Sequence, residues 1–463
     1  MNWSFIRHFS NYFASSLLVA ALGVIALPVY TRLLSVSEYG VIGVFRAYAG
    51  IFAIVGTLYF QSGMNRFLFE DNLSEDELKK FLGSTFVCLG TLQAVYFLIF
   101  NVFAAPLSWL LALPSDLIRL LPFLSMALFM AIFWEQYYQA QKRSGIIAVV
   151  RLVQNYAAFA LSLFLVFNLT EDKFLGPIWG QIIVGIITIA YFLWDLQPKI
   201  EWGLRIQDVK YLACFSLPLL PYALSGEILG QFSRLAINYL QGAGDAGLYS
   251  LGNSIGAMLN LVWVSLQSAW IPSYYARMNE GEYASRDREL TKIVHFFVFA
   301  ACAGVLFGRD VGRILSAQSF HQALDIVPLI VLGQMYYGLF QIYALSINYA
   351  KSTHYLSLVV VSAGLINILL NLLMIPLYGY MGGAVAILIS YLCLLLMGWY
   401  VSSRMIRVSA PDILMVAGPT IWIWPLVILT YALSAGEIDL IIQLMVKIGG
   451  LATLGMILFR RYA

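Results

Sequence analysis

Charge is what this chain has least of. Only 11% of its 463 residues are Asp, Glu, Lys or Arg, against 61% hydrophobic, whereas soluble domains carry about 25% charged residues. So few ionised groups cannot cover the surface of a globule this long, which leaves lipid as the solvent. The net charge of +3 offers no basic excess for a nucleic acid to bind. Cysteine is also scarce. Cys88, Cys214, Cys302 and Cys393 lie far apart in apolar runs, with neither a CxxC pair nor a histidine at ligand spacing; they read as small hydrophobes, and no metal is expected. His8, His295, His321 and His354 fall near the edges of apolar runs. Long polar loops are missing as well, the largest being about 15 residues, and there is no P-loop or HExxH motif. A catalytic domain has nowhere to sit. The chain is therefore expected to move a substrate, without a cofactor, and not to be an enzyme.

What is present is apolar runs. A helix needs about 20 apolar residues to cross the hydrocarbon, and such runs occur at 10 to 31, 38 to 63, 81 to 103, 117 to 140, 147 to 167, 175 to 196, 211 to 239, 246 to 275, 291 to 308, 322 to 349, 355 to 377, 380 to 403, 413 to 433 and 437 to 458. Barrel strands would alternate and be about half as long, so the fold class predicted is all-α, polytopic, with about fourteen transmembrane helices. The segment Met1 to His8 carries one arginine and leads into a spanning run, so the first helix is expected to be retained. With the N-terminus placed in the cytoplasm, 19 Lys and Arg fall on the inner side, while Arg32, Arg119, Lys173, Arg309 and Arg313 make five outside. This asymmetry predicts both termini to be cytoplasmic.

The chain also repeats at an offset of about 207 residues, as transporters built from two related halves do. Ser37-Glu38-Tyr39-Gly40-Val41 aligns with Gly244-Asp245-Ala246-Gly247-Leu248, Gly176 with Gly382 or Gly383, and Lys142-Arg143-Ser144 with Lys351-Ser352-Thr353. The division expected is an N-terminal six-helix lobe over 1–200, a C-terminal six-helix lobe over 205–405 and an additional helix pair over 406–463.

The few ionisable groups deep in the runs are the informative ones, since each costs about 2.5–3.5 kcal/mol at a helix centre facing lipid. They are Arg46, Glu135, Glu227, Arg234 and Lys447. At helical spacing Arg46 shares a stripe with Gly43, Gly50, Thr57 and Gln61. Helix eight carries the counterpart stripe Ser250, Asn253, Gly256, Asn260 and Gln267, with Asn253 the repeat mate of Arg46. Two such stripes predict a hydrated cleft; small residues also serve as ordinary packing seams. Glu227 and Arg234 share a face but stand ~10.5 Å apart along the axis at 1.5 Å per residue, so neither can pair with the other directly. Pro218 and Pro221, with Gly226 and Gly230, mark helix seven for a bend. Glu135, near a cytoplasmic end, reads as either an ion-coupling group or a structural pair, and Lys447, outside the two lobes, as either an intramembrane cation or a structural pair.

Three passages carry a resemblance. Ala14-Ser15-Ser16 through Leu27-Pro28-Val29-Tyr30-Thr31-Arg32-Leu33-Leu34-Ser35 and Glu38-Tyr39-Gly40 resembles the opening of the Wzx-like polysaccharide flippases of the multidrug/oligosaccharidyl-lipid/polysaccharide (MOP) superfamily. Leu217-Pro218-Leu219-Leu220-Pro221, Arg234-Leu235-Ala236-Ile237 and Ala246-Gly247-Leu248-Tyr249-Ser250 look like that family's helix seven to eight passage. Asn367, Asn371, Ile375-Pro376, Gly379 and Gly382-Gly383-Ala384 look like its helix eleven to twelve hairpin. Ser233 stands where many relatives have an acid. The resemblance implies a MATE-like bundle in a bacterial cytoplasmic membrane that carries an undecaprenyl-pyrophosphate-linked oligosaccharide outward by alternating access, for O-antigen, capsule or exopolysaccharide. It implies partners among membrane lipids, a polysaccharide polymerase and assembly proteins, and coupling to a proton or sodium gradient. On that reading Arg46, Arg234, Asn253, Asn260 and Gln61 meet the pyrophosphate and sugar, Glu227 and Glu135 are ion-coupling candidates, and Lys447 is a further intramembrane cation. The rival in the same fold, a drug or cation antiporter, would carry an acid in helix one, and residues 10 to 31 contain none. A membrane glycosyltransferase or polymerase would present a large outer loop.

Overall fold

A computed structural model describes residues 3–70, 74–406, 409–435 and 440–459. Arg407, Arg460 and Arg461 of the inner charge set lie outside them, as do the side chains of Arg7 and His8. Among the described residues, fourteen helices are long and apolar enough to cross a membrane. They are α1 (Ala14–Leu33), α2 (Val36–Val55), α3 (Glu75–Val102), α4 (Ser115–Ala140), α5 (Ser144–Asn168), α6 (Leu175–Lys199) and α7 (Ile206–Gln241). There follow α8 (Ala243–Glu280), α9 (Tyr283–Leu315), α10 (Gln318–Tyr349), α11 (Thr353–Tyr378), α12 (Tyr380–Met405), α13 (Ile413–Leu433) and α14 (Ile441–Leu458). Helices are the solution because each segment satisfies its own backbone groups where no water can. Large apolar side chains such as Leu98, Phe164, Phe167, Leu369 and Ile428 are more than half exposed, a surface only lipid can cover.

Helix starts recur along the chain. Val36 and Ala243 open α2 and α8 at a spacing of 207 residues, Ser144 and Thr353 open α5 and α11 at 209, and Leu175 and Tyr380 open α6 and α12 at 205. By contacts the chain divides into two compact units, residues 1–247 and 248–463. α7 belongs to the first because it packs along α2.

Within the first unit α2 packs between α4 and α7, and α5 packs on α1 and α6. Its core is aromatic: Phe60, Phe81, Phe129, Phe133, Trp134, Tyr137, Tyr138 and Phe192 form one buried cluster. Ser35 caps α2 reciprocally, its hydroxyl accepting from the Glu38 amide at 3.2 Å while the Glu38 carboxylate accepts from the Ser35 amide at 2.8 Å. This satisfies donors that a helix start leaves orphaned. One turn on, the repeat-mated glycines meet: a Cβ on Gly40 would lie 2.8 Å from the Gly247 nitrogen, and one on Gly247 3.2 Å from the Gly40 nitrogen. Gly247→Ala, which drives a methyl onto the Val36 carbonyl, is expected to lower stability by about 1–3 kcal/mol. An unchanged melting temperature in detergent would show that the crossing yields at no cost.

In the second unit α10 is the innermost helix, with 83% of its apolar window buried, against α9, α11 and α12; α13 and α14 both lie on α9.

Three expectations need correction. The run at 38 to 63 is two pieces: α2 ends at Val55, Leu58 and Tyr59 take left-handed conformations at φ 50° and 59°, and a short helix, Phe60–Leu68, follows. Gln61 therefore leaves the stripe of Arg46. The helix-eight run is likewise interrupted between Gly256 and Leu259. Finally, the stretch between the runs ending at 275 and beginning at 291 is a helical hairpin that turns at Gly281, in the left-handed conformation at φ 71°. Its Arg286 is 1% exposed. The guanidinium reaches the Ser409 carbonyl, pairs with Asp287 at 2.7 Å and lies over the rings of Tyr274 and Tyr283.

Candidate substrate site

The five ionisable groups sort by what satisfies them. Glu135 on α4 is ion-paired to Arg151 on α5 at 2.5 Å. Lys447 on α14, 4% exposed, is paired with Asp310 on α9 at 2.6 Å. Each of the two meets an opposite charge where it stands. Asp310 belongs to a helix that runs seven residues past the expected end at 308, so the sequence placed Lys447's partner outside the membrane.

Arg46 is different. It projects from an exposed position of α2, with Tyr30 of α1 near enough to feel its charge. Its Nε donates to Gln181 Oε1 on α6 at 3.2 Å. That partner is a neutral amide, and among the described residues Arg46 makes no ion pair. One helical turn along α2, Gly50 leaves a notch: a Cβ there would sit 2.7 Å from Glu227 Oε1 on α7. α7 passes through a tight turn at Leu217–Leu219 before its helix resumes at Leu220, as Pro218 and Pro221 require, neither having an amide hydrogen to donate.

Glu227 and Arg234 do not touch; Gln231 stands between them. Arg234 donates to Gln231 Oε1 at 2.8 Å, and Gln231 lies four residues after Glu227 and three before Arg234. A glutamine satisfies the geometry of a charged group without cancelling its charge, so Arg46, which makes no ion pair among the described residues, keeps the capacity to hold an anion. Sequence reading missed both Gln181 and Gln231 because it looked for charges. The spacing of Gln231 was legible; Gln181, 135 residues from Arg46, was not.

The remaining residues separate. Thr57 turns its hydroxyl onto the Ala53 carbonyl at 2.6 Å, and Gln61 is 8% exposed on the short helix beyond the break. Neither joins Arg46. In the second unit Asn260 donates to Gln334 Oε1 on α10 at 2.7 Å. Asn253 Oδ1 and Ser250 Oγ, one turn apart on α8, are buried with no hydrogen-bond partner among the described residues. Such groups are uncommon because an unsatisfied buried polar atom costs about 1–3 kcal/mol.

Comparison with known proteins places this architecture. The chain is similar along 97% of its length to a lipid II flippase, MurJ, in an inward closed conformation, covering 99% of that chain with TM-score 0.74 at 14% identity. It is similar to a MATE transporter from Vibrio cholerae, VcmN, over 88% of this chain and 98% of that one, with TM-score 0.53 at 16% identity. A third likeness is to a MOP superfamily transporter from Pyrococcus furiosus, over 87% of this chain and 95% of that one, with TM-score 0.51 at 13% identity. At these identities the likeness is one of fold. No curated protein matches. The model of one family, described as polysaccharide biosynthesis protein, matches residues 5–278. With more than half its length matched, and with the helical fold of the MOP transporters, the chain belongs to the polysaccharide biosynthesis protein family.

Proposed function

We propose that the chain is a flippase that carries an undecaprenyl-pyrophosphate-linked oligosaccharide unit across the bacterial cytoplasmic membrane by alternating access, for O-antigen, capsule or exopolysaccharide. The observation that carries this is the pair of arginines held by amides: Arg46 on Gln181 and Arg234 on Gln231. A pyrophosphate is the ligand such groups suit, since a guanidinium offers parallel donors to phosphate oxygens and strengthens in a dry site. The likeness to a lipid II flippase supports a lipid-linked substrate, and the family supports its use in polysaccharide synthesis. The unpartnered Asn253 and Ser250 supply polar groups for sugar hydroxyls.

The division proposed is two six-helix lobes, 1–200 and 205–405, with 406–463 as an added pair, and both termini cytoplasmic. The protein moves its substrate and leaves it unchanged, drawing on a proton or sodium gradient, with membrane lipid around it and a polymerase and assembly proteins as partners. A drug antiporter is disfavoured because α1 carries no acid.

Reconstitution tests the reading. Proteoliposomes loaded with undecaprenyl-pyrophosphate-linked oligosaccharide in the inner leaflet are expected to expose the sugar to an external glycosidase faster than protein-free vesicles. Exposure at the protein-free rate, with gradient-driven efflux of an organic cation from the same vesicles, would replace the flippase by the antiporter.

A further inference from the structure

Arg46 and Gln181 stand 135 residues apart in the chain and meet at 3.2 Å, Nε to Oε1. A guanidinium only donates, so the carbonyl end of the amide is the end that faces it. The contact occupies Nε and leaves Nη1 and Nη2, which make no hydrogen bond among the described residues. Those two nitrogens form the planar fork that matches two oxygens of one phosphate. We propose that Gln181 is a positioning residue for the substrate: its neutral oxygen holds Nε, aims the Nη1 and Nη2 fork at the pyrophosphate, and leaves the guanidinium its charge.

Gln181 can aim Arg46 only if α6 is itself held in place, and glycines seat it. A Cβ on Gly176 would lie 2.9 Å from the Val166 nitrogen and one on Gly180 2.8 Å from the Ser162 nitrogen, both on α5. A Cβ on Gly185 would lie 2.6 Å from the Ala127 Cβ on α4. Gln181 thus projects from a stretch of α6 whose backbone approaches α5 before it and α4 after it. α4 packs against both α2 and α6, so the helices that carry the arginine and the amide share one support. An arginine fixed before its ligand arrives has less rotamer freedom to lose on binding, which favours the complex.

The residue type matters as much as the position. Glutamate has the shape of glutamine and would reach Nε equally well, but as an anion it would form an ion pair and offset the charge that draws a phosphate. Glu227 on α7 approaches α2 at Gly50, one turn on from Arg46, and the two make no ion pair among the described residues. A neutral acceptor therefore orients the fork and keeps the site selective for anions.

This inference rests on the proposed role of Arg46 as a pyrophosphate contact, and one set of measurements separates the two. The full chain in phosphatidylcholine nanodiscs is titrated with inorganic pyrophosphate. Gln181→Leu is expected to weaken binding about fivefold, and Gln181→Glu to weaken it about tenfold beyond that. In an Arg46→Lys background the ammonium has no fork to aim, and Gln181→Leu is expected to change affinity by less than about twofold. An equal loss in both backgrounds would show that Gln181 supports the fold or meets the ligand itself, and would overturn the positioning role; so would an unchanged affinity in Gln181→Leu. Gln181→Glu binding no more weakly than Gln181→Leu would remove the need for a neutral oxygen. If Gln181→Leu does not elute as a single species, Gln181→Met repeats the cycle. Arg46→Ala answers the other question: retained pyrophosphate affinity removes Arg46 from the site, whereas lost affinity with equal Gln181→Leu losses in the two backgrounds keeps the site and removes the role of Gln181.

Discussion

Arg46→Ala is expected to abolish surface polysaccharide while leaving protein level and melting temperature unchanged. The side chain is exposed and makes its hydrogen bond to Gln181; removing it unburies no core and leaves no acid unpaired. Its loss should therefore be cheap for the fold. For the substrate it is not cheap. Two charge-assisted hydrogen bonds to a phosphate contribute about 1.5–3 kcal/mol each, so translocation should fall by about a hundredfold or more, at 1.4 kcal/mol for each factor of ten. Arg46→Lys keeps the charge but not the fork, and should retain part of the activity. The check is polymer on the cell surface together with a blot of the membrane fraction. Normal polymer in Arg46→Ala cells would remove Arg46 from the site, and a fall in protein level would make it a structural residue.

The second large effect concerns the pair Asp310 and Lys447. Lys447 is 4% exposed and holds Asp310 at 2.6 Å, linking α14 to α9. Removing one partner leaves a buried charge uncompensated, which typically costs about 3–5 kcal/mol, while replacing both by apolar groups is often neutral. Lys447→Met alone is accordingly expected to melt well below the parent chain, and Lys447→Met with Asp310→Leu to recover most of the loss. Activity in the double variant carries the functional half of the test. A stable double variant that translocates normally assigns the pair to structure; a stable but inactive one returns Lys447 to the substrate path. Additive losses in melting temperature would show that the two residues do not act as a pair.

The arginines of the proposed site and their supports were unequally legible. Arg46, Glu227 and Arg234 stand out in sequence because charge within an apolar run has no bland explanation. The groups that decide what those charges are available for do not stand out. Asp310 and Glu135 look alike in sequence as acids near the ends of runs, yet each turned out to cancel a particular cation. Gln181 and Gln231 are neutral, and only their positions against Arg46 and Arg234 give them meaning. The polar stripe through Gln61 failed for a local reason: periodicity assumes an unbroken helix, and two left-handed residues at Leu58 and Tyr59 reset the phase. The surroundings of Arg286 were not legible either, since the rings of Tyr274 and Tyr283 and the Ser409 carbonyl come from three separate stretches of the chain.

By itself the sequence determined that the described residues form fourteen apolar helices, where most of them lie to within a few residues, α2 and α9 excepted, and that helix starts repeat at about 207 residues. It could do so because a helix in lipid satisfies its backbone within one segment, so hydropathy and length are local properties read from a window. Tertiary structure alone decided which opposite charges Glu135 and Lys447 meet. That depends on partners up to 137 residues away, as for Lys447 and Asp310. No window contains both halves of such a contact.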